Sequence, residues 1–233
     1  MEIKIWSDVR CPFCYIGKRK FESALENFTH KNDIKISWKS FQLDPNLKTD
    51  PTISTIDYFV ENKGVSAEQA EQMLSGAAQM GAESGLILDF ENSVLANSFN
   101  AHRLIQMAKS KGLGNEIEEA LFKAHFEQAK NIDSQEELIE VGSSIGLDSK
   151  EVEKMLKSDD FAYEVKQDEL EARNIGVRGV PFFVFNDKFA VSGAQSPEVF
   201  LQNLDKAWEE FSKDNSGLEI TEGESCFTDG TCN

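Results

Sequence analysis

The 233-residue sequence contains no run of eighteen apolar residues, the length that a helix needs to cross a membrane. It is also short of basic residues, since 24 Lys and Arg stand against 41 Asp and Glu and leave a formal net charge of -17. Nucleic acids and anionic membranes bind to basic faces, so we expect neither as a partner. With three His and four Cys, the sequence shows no metal-ligand cluster, and it shows no phosphate loop or nucleotide fingerprint. We therefore expect a soluble globular protein without a metal or a dissociable cofactor.

The N-terminal segment lacks the apolar stretch of a secretory signal peptide. Met1-Glu2-Ile3-Lys4-Ile5 is charged and has the alternation of a strand. We therefore expect the protein to be cytoplasmic. In a reducing compartment a close pair of cysteines is more often catalytic than structural.

Two of the four cysteines lie close together, in Cys11-Pro12-Phe13-Cys14. A strand-like segment precedes them and apolar residues at helical spacing follow, which is the context typical of a redox pair. With Cys11 at the N-cap and Pro12 at the first helical position, the Cys11 sulfur faces unpaired backbone N–H groups and the positive end of the helix dipole. That environment favours the thiolate. We expect Cys11 to be the attacking thiol and Cys14, one turn further on, to be the resolving thiol.

A zinc half-site and a structural disulfide are the two alternatives for this motif. Zinc needs about four N or S ligands, but the other cysteines lie at the far end of the chain and no His is at ligand spacing. A disulfide between Cys11 and Cys14 would close a ring too short to restrain the unfolded chain much. We therefore favour the redox pair.

The order of the remaining patterns predicts the fold class. Residues 2–7 are predicted as a strand, about 12–29 as a helix and 34–38 as a second strand, which together suggest a parallel βαβ unit. Only helical patterns occur from about 53 to 174, including capping boxes at Ser66 with Gln69 and at Ser134 with Glu137.

Strand patterns return near the C-terminal end. Val180 to Phe185 and Phe189 to Val191 flank an Asn186-Asp187 turn and predict a hairpin, and Ser196-Pro197-Glu198 begins a last helix. The prediction is thus an α/β protein with a thioredoxin fold (βαβ, then ββα) and a large all-helical insertion. We expect a discontinuous thioredoxin-like domain at 1–50 and 175–212, an insertion subdomain at 51–174 and an acidic tail at 213–233.

Four stretches resemble the DsbA-like branch of the thioredoxin superfamily, and within it the FrnE-type cytoplasmic dithiol–disulfide oxidoreductases and isomerases. They run from Trp6 to Cys14, Phe41 to Pro45, Asn97 to Leu104 and Gly176 to Pro181. The resemblance implies that Cys11 is the nucleophile, that Cys14 resolves, and that Pro181 is cis and packs against the disulfide. It also implies thiol- or disulfide-containing proteins, or small thiols such as glutathione, as partners of a monomer or homodimer.

A cis bend at Val180-Pro181 would leave the N–H and C=O of Val180 able to pair with an extended substrate beside Cys11. A trans proline that only begins a strand is the alternative. Similar folds occur in kappa-class glutathione transferases and 2-hydroxychromene-2-carboxylate isomerases, which carry serine in place of the first cysteine and bind glutathione. The expected function is therefore a thiol–disulfide oxidoreductase or isomerase; a glutathione-dependent transferase or isomerase is the alternative, and a non-catalytic peptide-binding holdase is a third possibility.

The last two cysteines, Cys226 and Cys232, lie in an acidic segment without Lys or Arg. We expect this tail to be mobile and its cysteines to form a second redox pair that relays electrons to or from Cys11 and Cys14. An inert tail, or one that binds a metal weakly, is the alternative.

The other candidate side chains are expected to be structural. His30 can complement the end of the first helix, and His125 is expected to be a satisfied core or surface histidine. His102 lies in a family-like stretch and is given no role. Three aromatic residues near the motif are expected either to surround the disulfide or to pack in the core, and they are Trp6, Phe13 and Tyr15.

Overall fold

The computed structural model describes the backbone of residues 1–214 and the side chains of residues 1–213. Within that range the chain forms four strands and nine α-helices. Their bounds are β1 Glu2–Ser7, α1 Pro12–Glu26, β2 Lys35–Ser40, α2 Thr55–Lys63, α3 Ala67–Glu83, α4 Phe99–Ser110, α5 Gly114–Phe122, α6 Gln135–Ser144, α7 Ser149–Leu156, α8 Ala162–Asn174, β3 Phe182–Phe185, β4 Phe189–Ser192 and α9 Pro197–Asp214. A 3₁₀ turn covers Lys31–Asp33 and a π turn covers Lys123–Glu127.

The four strands form one mixed sheet in the order β2-β1-β3-β4. β1 is parallel to β2 and antiparallel to β3, and β3 and β4 form an antiparallel hairpin. Three residues connect the paired Phe185 and Phe189. The first two, Asn186 and Asp187, have φ values of 50° and 55°, the positive pair of a type I′ turn, and the Lys188 N–H donates to Phe185 O at 3.1 Å. The predicted α/β class, with its parallel βαβ unit and its C-terminal hairpin and helix, is confirmed.

One face of the sheet is covered by α1 and α9. Their inward side chains are apolar at helical spacing, and Phe21 of α1 packs against Phe183 of β3 and Phe200 of α9, with ring centroids 5.5 and 5.7 Å apart. Burial of large aromatic rings of this kind is the main stabilising contribution to such a core. On the opposite face the Trp6 indole N–H donates to the Asp168 carbonyl of α8 at 3.0 Å.

Helix ends account for most differences from the sequence-based boundaries. α1 ends at Glu26 rather than near residue 29, because the Asn27 N–H bonds to carbonyls of the last turn and the Asn27 side chain donates to Ser23 O at 2.8 Å. The Ser66 capping box is present in full, and the Ser134 hydroxyl accepts from the Glu137 N–H.

The elements that carry the predicted site residues thus lie between a core built on the sheet and a core built of helices.

The predicted domain division at residues 50, 174 and 212 stays a proposal. Within residues 1–214, every helix falls short of the combined length and apolarity that a membrane crossing demands.

Candidate active site

The first cysteine lies at the end of the connection between β1 and α1. Cys11 is the N-cap residue of α1, with extended backbone angles of -91° and 112°, and Pro12 begins the helix. The Cys11 N–H donates to Asp8 O at 2.9 Å, and the Cys14 N–H donates to Cys11 O at 3.0 Å. No acidic residue lies in the first turn of α1. The predicted position of Cys11 at a helix N-terminus is confirmed.

The two cysteines are free thiols, and they differ in environment. Cys11 keeps 4% of its surface exposed and Cys14 keeps 1%. Burial first, and then hydrogen bonding to Cys11 and its charge, raise the pKa of the Cys14 thiol well above its usual value. Cys14 therefore holds its proton and donates it towards the Cys11 sulfur. The roles of Cys11 as attacking thiol and Cys14 as resolving thiol stay a prediction.

The predicted bend next to the cysteines is present. The Val180–Pro181 peptide bond is cis, and the Val180 carbonyl oxygen lies 3.6 Å from the Cys11 sulfur. Gly17 makes this approach possible: a Cβ there would lie 2.9 Å from Pro181 Cγ and 3.5 Å from Phe183 Cζ. The bend can thus pack against the first turns of α1, which places Val180, Pro181, Cys11 and Cys14 in one site.

A buried carboxylate supports the loop that precedes Cys11. Asp8 is fully buried and accepts the N–H of Arg10 at 3.2 Å and the N–H of Leu43 at 2.8 Å. His102 of α4 is also fully buried, with Nε2 3.5 Å from Asp8 Oδ1, which is an ion-pair contact rather than a well-formed hydrogen bond. Burial raises the pKa of Asp8, but the His102 contact and charge outweigh it and lower the pKa. Burial likewise lowers the pKa of His102, and the carboxylate contact raises it overall. Each partner thus favours the charged form of the other.

A second buried carboxyl group lies beyond this pair. Glu118 of α5 is 1% exposed, and its Oε2 has no hydrogen-bond partner among residues 1–213. Burial raises the pKa of Glu118 to about 7, although the charge of His102 opposes that shift. The sequence analysis missed both carboxyl groups. A signal for Glu118 was present, since it precedes the apolar Leu121 and Phe122 by three and four positions, on the same face of α5.

The aromatic residues near the motif do not all surround it. Trp6 and Tyr15 are fully buried, and Tyr15 stacks on Phe122 with centroids 4.8 Å apart. Phe13, between the two cysteines, is 41% exposed. Core packing is therefore the role of Trp6 and Tyr15, whereas Phe13 is exposed to solvent beside the cysteines.

His30 and His125 lie in different surroundings. His30 stacks on Trp208 at 4.2 Å beyond the end of α1. His125 is 6% exposed, and its Nδ1 has no hydrogen-bond partner within the described side chains. The expectation of a satisfied His125 was therefore wrong, because the π turn that carries it borders a cavity and no described residue reaches Nδ1 with a hydrogen bond.

Cys226 and Cys232 lie outside the described residues, so their predicted pairing stays a prediction. Among residues 1–213, no group of three or more His, Cys, Asp and Glu side chains is arranged to hold a metal ion.

One family model and three solved structures are similar to this chain. A family model of the DSBA-like thioredoxin domain matches residues 2–205. The crystal structure of a probable DsbA oxidoreductase from Streptomyces coelicolor, SCO1869, is 34% identical, covers 100% of this chain and 98% of that one, and has a TM-score of 0.86. The cytosolic disulfide reductase DsbM from Pseudomonas aeruginosa, solved with GSH, is 14% identical with a TM-score of 0.57, covering 92% and 98% of the two chains. A 2-hydroxychromene-2-carboxylate isomerase is 16% identical with a TM-score of 0.64, covering 93% and 98%. The last two show a shared fold alone, and the family match confirms the predicted DsbA-like resemblance.

Proposed function

Because the chain belongs to the DSBA-like thioredoxin-domain family, we propose that it is a thiol–disulfide oxidoreductase or isomerase that works through Cys11 and Cys14. One observation carries the proposal: Cys11 caps a helix beside a buried Cys14 whose pKa is raised, and the Val180 carbonyl lies 3.6 Å from the Cys11 sulfur. In such an arrangement one thiol attacks the substrate, and the other keeps its proton until it attacks the mixed disulfide.

In the reducing direction, the Cys11 thiolate attacks one sulfur of a substrate disulfide. A bond forms between Cys11 and that sulfur, the substrate S–S bond breaks, and the other sulfur leaves as a thiolate that takes up a proton. Cys14 then loses its proton and attacks the Cys11 sulfur. The Cys11–Cys14 disulfide forms, the second substrate sulfur leaves as a thiol, and two electrons have passed to the substrate. Oxidation of a substrate dithiol is the reverse sequence.

Val180 and Pro181 are proposed to hold the substrate. The Val180 N–H makes no hydrogen bond within residues 1–213, so it is available to an extended peptide that pairs with this loop in the manner of an added strand. The partners would be proteins with thiols or disulfides, or small thiols such as glutathione, and the setting would be the cytoplasm. The GSH present with DsbM is consistent with a small thiol.

The C-terminal pair is proposed as a relay. Cys226 and Cys232 would exchange with the Cys11–Cys14 disulfide through a mixed disulfide, and so carry electrons to or from it. A glutathione-dependent transferase or isomerase is the second candidate, favoured by the isomerase-like fold. It is less favoured because both cysteines are present in this chain.

Insulin reduction and the refolding of scrambled ribonuclease test the proposal. We expect Cys11→Ser to abolish both activities. Cys14→Ser should instead accumulate a covalent mixed disulfide between Cys11 and the substrate, detectable by mass spectrometry of the intact protein. Full activity in Cys11→Ser would contradict the proposal and favour a peptide-binding holdase. Glutathione conjugation or isomerisation that survives in Cys14→Ser would favour the second candidate.

A further inference from the structure

A cavity of about 80 Å³ opens directly beside the cysteine motif. One wall is Arg10 and Pro12, the residues on either side of Cys11, and the rest comes from α2, α3, the segment before α4 and the π turn. The lining is mainly apolar, with Leu74 and Phe90 among its members, and His125 borders it. The cavity therefore joins the reactive cysteine to the helical part of the molecule.

Two polar groups on this cavity are available to a ligand. The Arg10 guanidinium lies 5.7 Å from the Tyr58 ring centroid and hydrogen-bonds to the Tyr58 side chain. Its charge helps to lower the pKa of Asp8, but among residues 1–213 it forms no ion pair with a carboxylate at 4 Å or less. The nearby Asp44 carboxylate already accepts the Tyr58 hydroxyl at 2.9 Å. On the other side, His125 is buried and its Nδ1 has no partner. Buried polar atoms are rarely left unpaired in native proteins, so this nitrogen points to a missing hydrogen-bond partner.

We propose that this cavity is a substrate subsite that takes an aliphatic side chain next to the reacting cysteine of a peptide, with a neighbouring carboxylate of that peptide paired to Arg10. The inference rests on the proposed function and names its substrate class as peptides with an aliphatic and an acidic residue beside the cysteine. His125 Nδ1 is then the partner of a peptide backbone group.

The size of the cavity selects the side chain. A buried apolar cavity of about 150 Å³ holds benzene, so roughly half that volume suits a branched aliphatic group such as that of Leu or Val and excludes an indole. Consecutive Cα atoms lie about 3.8 Å apart, so a residue adjacent to a cysteine bonded to Cys11 reaches across Pro12 into the cavity.

The charge of Arg10 favours an acidic residue next to the aliphatic residue of the peptide. A guanidinium without a carboxylate partner recognises carboxylates through charge-assisted hydrogen bonds. The net charge of -17 would, on its own, repel acidic peptides from the protein. A preference for an acidic peptide is therefore the opposite of what the overall charge predicts. Such a preference would distinguish specific binding at Arg10 from non-specific electrostatic attraction.

The test uses three fluorescence-quenched peptide disulfides built on Glu-Leu-Cys-Leu-Glu, on Gln-Leu-Cys-Leu-Gln and on Glu-Ala-Cys-Ala-Glu. We expect kcat/KM for reduction to favour the first peptide about fivefold over its Gln version and about tenfold over its Ala version. Arg10→Gln should bring the Glu-to-Gln ratio close to one. Arg173→Gln, which removes the same charge from the exposed end of α8, should keep the ratio. Leu74→Phe should reduce the preference for Leu over Ala, and Val94→Phe fills the same cavity if the first variant does not fold.

A second readout does not depend on activity. The Cys11→Ser/Cys14→Ser protein is titrated with the same peptides carrying Ser in place of Cys, and affinity is followed by fluorescence anisotropy. Equal affinity and equal kcat/KM for the Glu and Gln peptides, with turnover still dependent on Cys11, would overturn this subsite and leave the proposed function standing. Selective binding without any turnover would overturn the proposed function and support the subsite.

Discussion

Asp8 and His102 form a buried ion pair directly under the cysteine loop. Burying two charges costs free energy, and the pair recovers it only while both partners are charged. The Asp8 carboxylate also accepts two backbone N–H groups, from Arg10 and Leu43, so its charge holds the loop that positions Cys11. The pair therefore links the protonation of a histidine to the geometry of the active site.

The loss of stability in the Asp8→Asn variant, relative to wild type, should be largest below neutral pH. The raised pKa of His102 means that its contribution is fully present below its ordinary value of 6.5 and is lost as pH rises through the folded value. The lowered pKa of Asp8 means that its contribution is present above 3.8 and is lost as pH falls through the folded value. Between those values Asp8→Asn leaves a buried imidazolium unpaired, and we expect a loss of about 3 kcal/mol in the free energy of unfolding at pH 6.

Urea unfolding at pH 6 and pH 9 measures this loss, which should be smaller at the higher pH because the contribution of His102 is lost as pH rises through its folded pKa. The control is Asp187→Asn, which removes an exposed partner of Lys4 and should change stability by about 0.5 kcal/mol or less. An equal loss for Asp8→Asn at both pH values would show that the charge of His102 plays no part.

Glu118→Gln should act in the opposite direction. The folded state binds the Glu118 proton more tightly than the unfolded chain, because its pKa is raised from 4.5 to about 7. Stability is therefore lost as pH rises from about 4.5 to above 7, by about 3 kcal/mol in all. Glutamine cannot ionise, so the variant should gain that amount relative to wild type between pH 5 and pH 8. Glu116→Gln, on the exposed side of the same helix, should keep the wild-type pH dependence; identical pH profiles for wild type and Glu118→Gln would contradict the assignment.

At this scale the sequence predicted the residues whose roles follow from local chemistry. Cys11 and Cys14 are defined by their spacing at a strand-to-helix junction, and Pro181 by its resemblance to the family. Asp8, His102 and Glu118 come from three separate segments, and only their packing makes them a cluster. No single stretch of sequence carries that information.

At the scale of elements, periodicity predicted which segments form strands and helices better than it predicted where they end. Phe28 follows α1 at helical spacing, yet it lies beyond the helix and is buried against Trp208 at 6.0 Å. An apolar residue at helical spacing indicates that the position is buried, but a residue in the following loop can be buried as well. The bend at Val180-Pro181 likewise reads as strand from its residue types, although β3 begins at Phe182.

Gly17→Ala tests the contact between α1 and that bend. Alanine is the better helix former, but its Cβ would lie 2.9 Å from Pro181 Cγ. We expect overpacking to cost about 1–3 kcal/mol and to lower insulin reductase activity, because the Val180 carbonyl would move from the Cys11 sulfur. Gly76→Ala is the matched control within α3, where nothing lies within 4 Å of the new Cβ, and it should gain up to about 1 kcal/mol. Thermal unfolding and activity are measured on both. An active and stabilised Gly17→Ala would show that the bend is not held by this contact.

At the scale of the whole molecule, two cores meet at the cysteines. One is built on the sheet and includes Phe21 and Phe183, and the other is built on α4 to α7 and includes Leu104 and Leu121. Between them, Cys11 and Cys14 pack in a cluster with Tyr15, Ile16, Leu86, Leu88, Phe122 and Phe126. The helical insertion thus supplies part of the active-site wall. The sequence predicted this insertion but not that contact, because pairing between distant segments leaves no periodic signal.

The course of α9 sets how far the C-terminal cysteines would have to travel. α9 runs in the same direction as α1, since Phe200 packs on Phe21 and Trp208 packs on Phe28. Its last residue, Asp214, therefore lies beyond the end of α1 that is remote from Cys11. At about 1.5 Å of rise per residue, that separation is on the order of 30 Å. Twelve residues carry the chain from Asp214 to Cys226 and reach at most about 40 Å when fully extended, so an intramolecular relay needs most of the connecting chain.

Deleting residues 215–224 should therefore strongly slow an intramolecular relay, because the extended chain then reaches only about 7 Å to Cys226 and about 27 Å to Cys232. Replacing the same ten residues by Gly and Ser should preserve it. Tethering gives an effective concentration on the order of millimolar, so the rate at which reduced Cys226 and Cys232 reduce the Cys11–Cys14 disulfide should not depend on protein concentration in the micromolar range. Stopped-flow tryptophan fluorescence at several protein concentrations measures that rate. Second-order kinetics would assign the relay to a neighbouring molecule, and a rate and turnover equal to those of Cys226→Ser/Cys232→Ser would reject the relay altogether.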